Sequence, residues 1–176
     1  MVLALSCIAL LLVIAAQDFL VPALRNETIS AGLTGRYHAL LDASYLPLAA
    51  ALCFAFTGWM QLFATIAAVA LLLVAATNTA WRWFDALTDG QHAVWHSRFT
   101  IVVFTSALAL QVAGDHGWRW SLTVANVAIP GACYAWFHFR PTIVKGTLVE
   151  ASPAAEKLYT LGLCAWLIVW SVAPQF

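Results

Sequence analysis

The sequence predicts an all-α, polytopic membrane protein: a bundle of six transmembrane helices with short outer turns and longer polar loops on one face. Two observations predict it. The 176 residues are 63% hydrophobic and 9% charged, with a mean hydropathy of +0.85, whereas soluble domains are roughly half apolar and a quarter charged. The apolar residues also come in blocks close to the about 20 residues that cross a hydrocarbon core of about 30 Å, and the polar residues gather at one set of block ends. Six such helices use most of the chain, so residues 1–176 read as a single membrane domain. Eight Lys+Arg balance eight Asp+Glu, which leaves neither the basic excess of a nucleic-acid binder nor a polybasic run for anionic lipid.

The blocks place spans at about residues 2–22, 44–58, 62–80, 98–113, 118–139 and 154–173. The first lacks the positive n-region and small-residue cleavage site of a signal peptide, so it is expected to be kept as a span. Residues 44–77 are almost free of charge and would be about 50 Å long as one helix. They must fold back, and Thr57-Gly58-Trp59-Met60-Gln61 is the expected turn. The fourth span follows a polar connection and ends at Gly114-Asp115-His116-Gly117, a turn too short to hold much of a site. Pro130-Gly131 should kink the fifth and free the Asn126 carbonyl. No internal repeat of the kind that builds inverted-repeat transporters is present. Cys7, Cys53, Cys133 and Cys164 each fall inside an apolar block without Cys-x-x-Cys spacing and read as small buried hydrophobes. Asn26-Glu27-Thr28 fits a glycosylation sequon, a pattern short enough to arise by chance.

Counting sides, the longer connections 23–43, 81–97 and 140–153 share one face, with both termini and both short turns on the other. Seven of the eight basic residues (Arg25, Arg36, Arg82, Arg98, Arg140, Lys145, Lys157) belong to the long-loop face, and Arg119 to the other. The positive-inside rule makes the long-loop face cytoplasmic and puts both termini in the periplasm of a bacterial inner membrane. The chain is rich in tryptophan. Trp81, Trp83, Trp95 and Trp136 fall near one interface and Trp59, Trp118, Trp120 and Trp170 near the other, as expected of indoles at headgroup level.

The densest polar constellation is Asp85, Asp89, His92 and His96, which would align on one stripe if the connection is helical, although Gly90 interrupts it. Two carboxylates and two imidazoles suit a divalent metal, zinc or iron, and His38 would complete the set. A solvated polar face is the plainer reading. A second polar cluster gathers Asp18, His38, Asp42, Arg98 and His138 on the same face. Asp18, about one turn inside the first span, needs a partner at membrane depth, for which Arg98 and His38 are the candidates. His96 opens the fourth span and His138 closes the fifth, so the two imidazoles would also suit a b-type haem. No charged residue is expected at mid-depth, which disfavours ion-coupled transport.

Gly35-Arg36-Tyr37-His38 with Leu41-Asp42, and Asp85-x-x-Thr88-Asp89-Gly90-x-His92, resemble the corresponding loops of a bacterial six-span membrane family catalogued as domain of unknown function nine-nine-eight. The likeness covers residues 30–115 and implies six helices with polar loops ahead of spans; it implies no activity. The His, Asp and Ser content is more loosely similar to seven-span metal-dependent lipid hydrolases, but the His pair lies in a different segment and one span is missing. Catalytic residues therefore stay unassigned. Three function classes follow. The favoured one is a non-catalytic accessory or assembly subunit of a larger membrane complex, with the lipid bilayer and other membrane subunits or itself as partners. The others are a metal-dependent lipid hydrolase at the cytoplasmic interface and a haem protein.

Overall fold

The computed structural model describes residues 1–20, 36–115, 119–140, 143–144, 147–148 and 151–173. The chain is helical: α1 (Val2–Leu20), α2 (Arg36–Ala55), α3 (Gly58–Phe84), α4 (Asp89–Gly114), α5 (Arg119–Phe139) and α6 (Ala151–Val172), with a two-residue antiparallel ladder, β1 (Ile143–Val144) and β2 (Thr147–Leu148), between the last two. Three stretches are long and apolar enough to cross a membrane: α3, α4 and, within α6, Pro153–Val172. Val2–Ala16 and Ala39–Ala55 are shorter apolar stretches. Indoles and other apolar side chains such as Phe54, Trp59, Trp83 and Trp136 are exposed. That is the surface of a protein whose solvent on those faces is hydrocarbon or headgroup.

The expected fold-back is there. α2 stops at Ala55 and α3 starts at Gly58, whose φ of +59° is one a residue without a Cβ adopts freely. Other boundaries differ from the hydropathy blocks. α2 begins at Arg36 instead of about 44, α3 continues to Phe84, and α4 begins at Asp89 instead of about 98. The connection expected over 81–97 therefore shrinks to residues 85–88. Hydropathy finds only the part of a helix that matches hydrocarbon, whereas backbone hydrogen bonding runs on into water wherever the sequence permits. α3 and α4, at about 40 Å each by the helical rise, exceed a hydrocarbon core by about 10 Å. Gly90 does not interrupt α4: it lies in the first turn, inside a capping box in which Thr88 Oγ1 accepts from the Gln91 backbone and Gln91 accepts from the Thr88 backbone. α5 runs unbroken through Pro130.

Neighbours in sequence are neighbours in space for α1 through α4; α6 packs between α5 and α1, and α4 and α5 meet only slightly. The result is a ring with one loose joint. Its core joins Leu3, Cys7 and Leu10 of α1, Leu41, Leu48 and Leu52 of α2, Ala64, Ala68 and Leu71 of α3, Leu110 of α4, and Cys164, Trp166 and Leu167 of α6. The alanines of α3 let its backbone approach its neighbours, the usual device where lipid offers no hydrophobic drive to associate. Cys7 and Cys164 are buried, as expected; Cys53 and Cys133 are half-buried, and all four are free thiols.

Candidate functional site

At the end of the bundle where α3 passes into α4, polar side chains from three helices form one network. Asn78, fully buried at 0% exposure, donates from Nδ2 to Asp42 Oδ1 at 3.1 Å and meets His92 Nε2 with Oδ1 at 3.0 Å. A carboxylate oxygen only accepts, so it sets the Asn78 amide, and the amide oxygen in turn requires His92 Nε2 to be the donor. α2, α3 and α4 are thus tied by a single chain of hydrogen bonds. Helical spacing supplies the rest. Asn78, Trp81 and Arg82 stand at i, i+3 and i+4 on one face of α3, and Asp89, His92 and His96 at i, i+3 and i+7 on one face of α4. The Trp81 ring stacks on His92 at 4.1 Å and its Nε1 donates to Asp89 Oδ1 at 2.8 Å. The His96 ring lies 5.3 Å from that of His92. The Arg82 guanidinium sits 4.7 Å from the Trp81 centroid, within electrostatic reach of Asp42.

One turn deeper on α2, Tyr45 is buried within reach of both Asp42 and Glu156. Tyr45 and Glu156 also line a cavity of about 80 Å³ enclosed by α1, α2, α3, α4 and α6, whose other walls are chiefly apolar. Glu156 further lines an open groove over the α4–α5 joint, with Phe104, Pro130, Gly131, Tyr134 and Tyr159. The Tyr159 hydroxyl donates to the Phe104 carbonyl at 3.3 Å.

The predicted site residues divide accordingly. Asp42 and His92, assigned to separate clusters from sequence, are brought together through Asn78. Asp85 leaves the stripe: it is the C-cap of α3 in a left-handed conformation (φ 47°), because the helix ends there and α4 restarts at Asp89. Asp18 is paired with Lys157, Nζ to Oδ1 at 2.7 Å. Arg98 is not that partner; it is exposed and lies 5.2 Å from the Trp95 ring. α6 passes beside α1, whereas α4 stands opposite, three helices away round the ring, so a lysine on α6 reaches where an arginine on α4 does not. The His38 side chain is outside the described residues, as are the sequon, His116, Trp118 and Lys145. His138 is exposed and stacks on Tyr134 at 5.7 Å. His96 and His138 thus stand on two helices that scarcely touch. Among the described residues, no three or more His, Cys, Asp or Glu are arranged to hold a metal ion.

The short-turn end was underestimated from sequence. Asp115, 2% exposed, accepts from Trp166 Nε1 at 2.7 Å, and Arg119, also buried, lies 5.0 Å from the Trp170 ring. Gln111 and Asn126 bond to each other at 3.3 Å. Trp166 belongs to the core, and Trp170 packs against it and against Phe56, so Trp170 is more than a belt residue. Asn78 and Trp166 carried a sequence signal: each is a polar-capable side chain inside an apolar block, where a hydrogen-bond partner is obligatory. Compared with family models, curated proteins and solved structures, the chain matches none.

Proposed function

We propose that this chain is a six-span integral protein of the bacterial inner membrane, with both termini periplasmic, and that it serves as a non-catalytic accessory or assembly subunit of a larger membrane complex. One observation carries the reading. Polar side chains near the membrane faces are engaged as ties between helices: Asp42–Asn78–His92 across α2, α3 and α4, Lys157–Asp18 across α6 and α1, and Trp166–Asp115 across α6 and α4. Groups used this way hold a scaffold, while reactive groups are left open to a substrate. The likeness of residues 30–115 to the six-span family of unknown function supports the same architecture. Purification in native nanodiscs followed by mass spectrometry tests the function. A second membrane protein, or a second copy, at fixed stoichiometry is expected, and deletion of this chain should lower that partner's abundance. In a cysteine-less background, a cysteine replacing His116 should label from the periplasm and one replacing Thr88 should be protected; the reverse would invert the sidedness.

A second reading, the metal-dependent lipid hydrolase, draws on the adjacent His92 and His96 rings with Asp89 on the same face of α4. A monomer carrying about one equivalent of zinc or iron, lost in His92→Ala, would favour it over the subunit reading.

A further inference from the structure

Helices α4, α5 and α6, of which α5 runs antiparallel to the other two, meet in layers at the short-turn end, and four contacts set the register. Gln111 meets Asn126, and Asn126 rests on Gly162, where an added Cβ would collide with its Oδ1. One turn further out Asp115 meets Trp166, and beyond it Arg119 meets Trp170. On α5, Thr123 falls between Asn126 and Arg119 on the same face, level with Asp115 and Trp166. Two neighbouring layers therefore hold Gln111, Asp115, Thr123 and Asn126, all at most 5% exposed.

Their hydrogen bonding is incomplete. Asp115 Oδ2, Thr123 Oγ1, Gln111 Nε2 and Asn126 Oδ1 are buried and have no hydrogen-bond partner among the described residues. A buried carboxylate with a single donor is expensive unless positive charge balances it. The Trp166 donor engages Oδ1 and leaves Oδ2, in the same layer as Thr123, without a donor among the described residues. Reversing both amides preserves the Gln111–Asn126 bond and leaves the Gln111 oxygen, instead of its nitrogen, one turn below Asp115. The carbonyl end of α4 terminates here as well and favours positive charge.

We propose that Asp115 Oδ2, Thr123 Oγ1 and the Gln111 side-chain oxygen bind one desolvated monovalent cation of sodium's size. Three hard oxygens with one full negative charge suit a singly charged alkali ion; calcium takes more oxygens and, as a rule, more carboxylates. The site is independent of the Asn78 network and shares with the subunit reading only Asp115, whose Oδ1 makes the Trp166 tie while Oδ2 would meet the ion, so loss of the sodium response would leave that tie in place.

The test is thermal unfolding of the full chain in lipid nanodiscs, titrated with NaCl, KCl or choline chloride at constant ionic strength. Sodium should raise the midpoint saturably, potassium several-fold less effectively and choline not at all. Asp115→Asn and Thr123→Val should each abolish the sodium dependence. If Asp115→Asn fails to fold, Thr123→Val, which keeps the side-chain volume, and sodium-23 line broadening on the unaltered protein carry the test. Identical midpoints in the three salts would mean that the layers hold only water or a proton, and a sodium response surviving in Thr123→Val would place the ion elsewhere. Either result overturns the proposal.

Discussion

The two ends of the bundle solve the same problem differently. At the α3–α4 end, most polar groups reach from helix to helix and find partners: Asn78 satisfies Asp42 on one side and His92 on the other, and Trp81 and Asp89 close a second bond nearer the surface, while Arg82 Nε alone of the α3 face lacks a hydrogen-bond partner among the described residues. At the short-turn end the polar groups are buried, yet each of Gln111, Asp115, Thr123 and Asn126 keeps an atom without a hydrogen-bond partner among the described residues. Burial and pairing therefore do not run together in this molecule. A network at a membrane edge can be completed by water, so its members act as replaceable ties. A network sealed between three helices must be complete by itself, and each of its groups carries the full cost of desolvation.

The largest test of that difference lies at the sealed end. Gly162→Val should drive the Asn126 amide off α6 and destabilise the protein by roughly 3 kcal/mol, because the amide can yield only by giving up its bond to Gln111 while the added methyls overpack the contact. Unfolding in nanodiscs measures it, and an unchanged midpoint would show that α5 and α6 are not closely packed there. Asn78→Leu comes next, at roughly 2 kcal/mol, since it removes two interhelical bonds and leaves Asp42 and His92 to find water. A double-mutant cycle of Asp42→Ala with His92→Ala should show coupling in the presence of Asn78 and none in its absence. Asp18→Leu should cost about 1 kcal/mol, as both partners of the Lys157 pair are partly exposed. Lys157→Leu in the same chain should recover part of that loss. The smallest effect belongs to Asp89→Ala, less than about 0.5 kcal/mol for an exposed residue. A larger loss in Asp89→Ala that disappears when chelator strips the unaltered protein would undo the contrast and favour the metal reading.

Much of the helical architecture was legible in the sequence because long apolar blocks leave the backbone few choices: the described residues of the apolar blocks are helical, and the charge-free stretch 44–77 folds back where Thr57-Gly58 stands. The helix ends were not, because nothing in hydropathy says how far a helix continues into water; Arg36–Asp42 and Asp89–Ser97 are polar and helical. The site was half legible. Asp42 and His92 could be assigned to one face by counting turns, but their mediator, Asn78, has no motif, and only the packing of α2, α3 and α4 reveals it. The pairing of Asp18 with Lys157 was missed for a topological reason, since linear spacing does not tell that α6 returns beside α1. The Asp115 layers escaped notice because a four-residue turn looks too small for a site, although its flanking helices bring most of the side chains.

The loose joint between α4 and α5 gives the ring an uneven mechanical character. A closed wall under lateral pressure yields where packing is thinnest, and here that joint is also where Glu156 borders both the inner cavity and the outer groove. A deformation of the ring would thus be concentrated along one edge, where α4 and α5 meet, before it reached the five more closely packed joints.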